Sequence, residues 1–118
     1  MQATQKAEDV ERAGEDRIFS ALGDATRRHI LDLLRTGPMT TGEICTHFAI
    51  SRFAIMKHLT VLVDASLVLI ERQGRQRINH LNPLPIQALH RRWIKPFEQL
   101  GADRLLRIRQ MAENLPKE

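Results

Sequence analysis

A mainly α-helical fold with one small β-hairpin is what this sequence predicts, and three observations carry the prediction. Apolar residues recur at helical spacing in several separate segments, Gly and Pro punctuate between them, and one stretch near residue 70 switches to strand-like composition. The 118 residues, 42% of them hydrophobic, are enough to bury one core and too few for two. Eighteen Lys and Arg against fourteen Asp and Glu give a net charge of +4, and the isoelectric point near 10.0 suits a polyanionic partner. No apolar run approaches the roughly 20 residues of a membrane-spanning helix, and the polar N-terminus lacks signal-peptide character. A cytoplasmic protein without membrane contact is therefore expected. The single cysteine excludes an internal disulfide.

Residues 1–14 mix acids and bases with almost no large apolar side chains, which predicts a polar arm or a frayed helix start. Ile18, Phe19 and Leu22 then form a short apolar face that Gly23 stops, and Asp24 is placed to cap the next helix. That helix, from Ala25 to about Arg35, carries Ile30, Leu31, Leu33 and Leu34 as its buried stripe, with Arg27, Arg28 and Arg35 in water. Gly37 and Pro38 close it. A shorter helix from Thr41 to Phe48 has Glu43 early in its first turn, where the helix dipole favours an acid. After a break at residues 49–51, Ser51 caps a third helix to about Ala65. Ile55, Leu59 and Leu62 recur at i, i+4, i+7 and face inward, which leaves Arg52, Met56, Lys57 and Thr60 on or near the other side.

The period then changes. Residues 67–72 and 76–81 read as two strands joined at Gln73, Gly74 and Arg75. Beyond Asn82 and Pro83, residues 86–115 are helical again, with Leu89, Trp93, Phe97 and Leu100 in one phase and Leu105, Ile108, Ala112 and Leu115 in a second. The phase slips where Pro96 and Gly101 lie, so a kink or two helices in series is expected. The domain plan is a polar arm at 1–14, a helix-turn-helix and hairpin at 15–82, and a C-terminal helical segment at 83–118, all within one domain.

Helix, helix, short helix, tight turn, helix, hairpin, helix is the order of a winged helix-turn-helix DNA-binding domain. A helix of this width fits the major groove of B-DNA, and a supporting helix can press it there. Residues 41–48 would support and residues 51–64 would read. From 51 to 80, Arg52, Lys57, Arg72, Arg75 and Arg77 face only Asp64 and Glu71, and three of the arginines surround Gly74 at the hairpin tip. A wing of that charge meets phosphates or the minor groove.

Specific strings sharpen this reading. ATRRHILDLL in the second helix, TTGEI in the support helix, Lys57, His58 and Leu59 with Val61 and Leu62 in the reader, and Arg72, Gly74 and Arg75 in the wing resemble the ArsR/SmtB family of bacterial winged-helix repressors. The likeness covers residues 18–81, and residues 82–111 are similar to the C-terminal helix of the subgroup without obvious metal sites. Gly101 stands where that subgroup often carries a second Trp. The resemblance implies a homodimer that binds a near-palindromic operator in double-stranded DNA and represses its own or a neighbouring operon. Independently, one small winged domain cannot bury Ile18, Phe19 and Leu22 together with Leu89, Trp93, Phe97, Leu100, Leu105 and Ile108, which makes these nine the expected dimer interface.

Roles on the DNA side follow residue chemistry. Ser51 caps the reader and can donate to a phosphate, and Arg52 at the helix start suits bidentate contact with guanine. Phe53 and Met56 fit thymine methyl groups or plain packing, Lys57 the backbone, and His58 either reading or a structural bond. Arg72, Arg75 and Arg77 belong to the wing. Two alternatives compete: a metal-responsive repressor using Cys45 and His47, and a winged-helix module for protein or RNA contact. Against the metal, residues 1–28 contain neither Cys nor His, positions i and i+2 diverge on a helix, and the C-terminal segment offers only His90. Cys45 is simplest as a small buried hydrophobe. Against the other module, the wing is basic. No phosphate-binding glycine loop, HExxH, paired cysteines or nucleophile elbow is present. The expectation is no enzyme, no cofactor, no metal and no small-molecule substrate.

Overall fold

The computed structural model describes residues 2–116, with side chains from residue 3; Met1 and the last two residues of the C-terminal segment lie outside the described residues. The chain forms two compact units, Met1–Gln87 and Ala88–Glu118. The division falls five residues beyond the boundary expected at 82/83.

In the first unit, α1 spans Gln2–Leu22. Residues 2–14 are thus helical, where a polar arm or frayed start was expected. Exposed local pairs lie along this stretch: Gln5 donates to Asp9 at 3.1 Å, and Arg12 pairs with Glu8 and Asp9 one turn back, each at 3.7 Å. Gly23 stops the helix, its amide donating to Ser20 at 3.2 Å. Asp24 caps α2 (Ala25–Leu34), accepting from the Arg27 amide, and Ile30, Leu31 and Leu34 are buried while Leu33 is only half-buried. A two-residue strand, β1 (Met39–Thr40), precedes α3 (Thr41–Cys45), which ends three residues before the expected Phe48. The long helix α4 (Arg52–Asp64) has Ser51 as its cap, and Ile55, Leu59 and Leu62 are fully buried beneath it.

The end of α4 has a specific closure. The amide of Ser66 donates to Val63 and that of Leu67 to Leu62, each at 2.9 Å, with Ser66 at φ 61°. This is a Schellman motif, completed by the buried Leu62 and Leu67 side chains. The hairpin follows at once: β2 (Val68–Gln73) and β3 (Gln76–Leu81) pair antiparallel, Val68 opposite Leu81 and Gln73 opposite Gln76. Gly74 opens the two-residue turn at φ 60°, the position where a type II′ turn requires glycine. Strand β1 adds to the outer side of β3, giving a three-stranded sheet in the order β1-β3-β2.

Helix α5 (Leu84–Leu89) leads into the second unit. There the helix widens to a π-helical segment, His90–Ile94, where the Lys95 amide donates to His90 five residues back, just before Pro96, which has no amide to give. Helix α6 (Lys95–Glu98) is short, residues 99–102 are non-helical, and α7 (Asp103–Glu113) restarts in a new phase. The slip expected between Leu100 and Leu105 is thus a break in the helix. Of the nine residues expected at a dimer interface, Ile18 and Leu89 are buried in the chain itself and Leu22 is half-buried; Phe19, Trp93, Phe97, Leu100, Leu105 and Ile108 keep 39–68% exposure. Burial of the first two is a correction to the interface expectation, because a side chain that its own fold encloses offers a second chain nothing. No described helix is long and apolar enough to cross a membrane.

Candidate nucleic-acid interface

The helix pair at the centre of the first unit is built by capping. Thr40 Oγ1 accepts from the Glu43 amide and donates to the Glu43 carboxylate, both at 3.1 Å, a side-chain N-cap that starts α3. Ser51 Oγ accepts from the Ala54 amide at 3.1 Å and starts α4. With Ile55, Leu59 and Leu62 enclosed, geometry leaves Arg52, Phe53, Lys57 and Thr60 exposed and Met56 half-buried on the outer side. Phe53 is 69% exposed, and the Lys57 ammonium sits 4.5 Å from its ring centroid. The cation lies over the face of the ring, an attraction that orients both side chains on the outer side of α4.

Beside the N-terminal end of α4 lies a groove of about 400 Å³. Arg52 and Met56 form one wall, Arg72, Arg75, Gln76 and Arg77 of the wing the other, and Thr40, Thr41 and Gly42 the floor. Four guanidinium groups and no carboxylate line it. The wing is held against that floor by Asn79, which is fully buried and donates to the Met39 carbonyl and to Thr41 Oγ1, each at 3.2 Å. Sequence reasoning found the arginines but not Thr40, Thr41, Gly42 or Gln76. Thr40 just before Thr41 was a readable N-cap signal; the meeting of residues 40–42 with 72–77 was not.

His58 takes a different place from the other reader residues. It is half-buried, its Nδ1 lies 3.3 Å from the Arg27 guanidinium and 3.8 Å from the Asp24 carboxylate. Arg27 also donates to the Ala21 carbonyl at 2.8 Å and to that of Ser20 at 2.9 Å. Arg27 thereby ties the end of α1, the start of α2 and the reader helix together, with His58 as the link on α4. The Arg27 amide, helped by the charges of His58 and Arg27 and opposed by desolvation, holds the Asp24 carboxyl below its ordinary value of 3.8. A depressed carboxyl stabilises the fold above its unfolded value, and that contribution fades as pH falls through the folded one.

Cys45 is a free thiol, half-buried, with His47 exposed two residues on. Among the described residues no three of His, Cys, Asp and Glu gather in a way that could hold a metal ion.

Residues 24–68, which span α2 through the reader helix to the first wing residue, match the bacterial regulatory protein arsR family. The transcriptional repressor SdpR of Bacillus subtilis (strain 168) is 43% identical over 70 residues, covering 59% of this chain and 78% of that one. This chain belongs to the ArsR family. Like the ArsR-like transcriptional regulator from Rhodococcus sp. RHA1, it carries the family's winged architecture: identity is 30%, the TM-score is 0.65, and 89% of this chain and 98% of that one are covered. A homodimeric winged helix-turn-helix DNA-binding domain from Mycobacterium bovis, a possible ArsR-family regulator, shares the fold at 21% identity and a TM-score of 0.64, over 80% of this chain and 88% of that one. The ArsR family is one of transcriptional regulators, and in this member four arginines and no acid line the groove beside α4.

Proposed function

We propose that this ArsR-family protein is a cytoplasmic transcriptional repressor that binds a near-palindromic operator in double-stranded DNA as a homodimer, at its own or a neighbouring operon, with no catalytic step and no small-molecule substrate. The observation that carries the reading is the acid-free groove of four arginines beside an exposed, capped reader helix. Arg52 and Phe53 are the residues for base edges, Lys57 and the wing arginines for the backbone, and Ser51 for a phosphate at the helix start. His58 positions the reader helix through Arg27. Phe19, left exposed on α1, and, in the second unit, Trp93, Phe97, Leu105 and Ile108 are apolar side chains available to a second copy. Two-fold pairing then sets the reader helices about 34 Å apart, one turn of the duplex.

Selection of bound duplexes from a random pool tests this directly. The expected result is an inverted repeat with half-sites one helical turn apart, found in the promoter of the protein's own or an adjacent operon. Arg75→Ala should weaken binding to all sequences alike and reduce the slope of log affinity against log salt by about one. Enrichment of no duplex, or Arg75→Ala binding with parental affinity at every salt concentration, would overturn the reading.

A further inference from the structure

The outer side of the reader helix presents apolar surface among cations. Phe53, its second residue, is 69% exposed, and Ile50, just ahead of the Ser51 cap, is 43% exposed. Met56, one turn on, is half-buried. Packing was one of two uses open to Phe53, and its exposure rules that use out, since Ile55, Leu59 and Leu62 fill the core without it. Arg52 and Lys57 flank it, and residues 44–63 contain no Asp or Glu. An anionic strand can therefore approach the ring unopposed by any acid of that stretch.

Two features narrow what the ring can meet. The Lys57 ammonium lies over one face, 4.5 Å from the centroid, so that face is not free to stack on a base. The ring edge and the other face remain, and they carry neither donor nor acceptor. Pressed on a base edge that has either, they would leave that group with no water and no partner, at a cost in affinity. In the major groove the base pairs offer one apolar group, the methyl on C5 of thymine. Arg52 meanwhile lines the groove beside the wing and Phe53 does not, so these consecutive residues face different parts of a bound duplex.

We propose that Phe53, oriented by Lys57, is a receptor for the C5 methyl group of a pyrimidine, and that it makes a 5-methylpyrimidine the preferred base at one position of each half-site. The inference rests on the DNA-binding reading and deepens it by naming the chemical group that this side chain selects. Thymine always carries that methyl, and cytosine carries it only after methylation at C5. The second source makes operator binding respond to a modification of the DNA. One buried methyl group is worth about a four-fold change in affinity.

The duplex recovered by selection from a random pool is the probe, and the full chain is the protein. Uracil placed for each thymine of one half-site in turn removes a methyl and nothing else. Binding should weaken about four-fold at one such position. Cytosine and then 5-methylcytosine at that position should show a gain of similar size on methylation. Phe53→Ala should melt near the parent, because the side chain is exposed, and should bind the thymine and uracil duplexes equally. Phe53→Leu, which keeps an apolar tip, should restore part of the difference. A merely structural role for Phe53 would shift both duplexes together and leave their ratio alone. Loss with uracil together with gain on cytosine methylation assigns the methyl whichever base bears it, and loss with uracil alone makes thymine the ligand. Equal binding of the parent to thymine and uracil duplexes at every position, or a ratio that survives Phe53→Ala, overturns the receptor and leaves DNA binding standing. A pool from which no duplex is enriched overturns the DNA-binding reading itself, and the inference with it.

Discussion

Helices α4 and α7 share a pattern and differ in fate. Both repeat apolar residues three and four apart over a similar length. In α4, Ile55, Leu59 and Leu62 are wholly enclosed, because α1, α2, α3 and β2 all pack around it. In α7 nothing is buried, and Leu105, Ile108 and Met111 keep 65%, 51% and 70% of their surface in water. The difference teaches that periodicity announces an apolar face without naming what covers it. Four elements of the same unit reach α4, whereas α7 restarts after a break at residues 99–102.

The largest expected effect lies on the enclosed side of that contrast. Leu59→Ala should destabilise the chain by about 2–5 kcal/mol, the range for emptying a filled core site, as read by denaturant unfolding. A loss under 1 kcal/mol would mean that α4 is not the centre of the core. Next comes the closure of the same helix. Ser66 occupies a left-handed conformation that a Cβ disfavours, so Ser66→Gly should stabilise by up to about 1 kcal/mol, and a measured loss would break the Schellman assignment. Smallest is Ile108→Ala. In dilute solution, where any dimer is dissociated, it should change unfolding free energy by no more than about 0.5 kcal/mol. Ile108→Glu sharpens the contrast by changing assembly rather than folding: sedimentation should show weaker self-association with helix content unchanged, and an unaltered association constant would remove Ile108 from the proposed interface.

Legibility followed the range of the interactions involved. The caps at Asp24 and Ser51, the inward triad of α4, and the hairpin around Gly74 depend on residues within a few positions of each other, and the structure has each where the pattern put it. Residues 2–14, read as an arm or a helix start, are helical, with exposed Arg12 pairs to Glu8 and Asp9 along them. The candidate site divides along the same line. The basic residues of reader and wing were visible, while the floor at Thr40, Thr41 and Gly42 was not. That floor exists because β1 pairs with β3 across nearly forty residues, Met39 opposite Asn79.

By itself, then, the amino-acid order determined which segments coil, where they start and stop, and which stripe of each is apolar, because capping, turn chemistry and periodicity act over a few residues. Only the tertiary structure decided that the stripe of α4 is sealed and that of α7 open, that His58 turns toward Arg27, and that Arg77 stands opposite Arg72 over a floor supplied by β1 and α3. Those outcomes depend on which distant surfaces meet. Burial and like-charge proximity come into being only at such meetings.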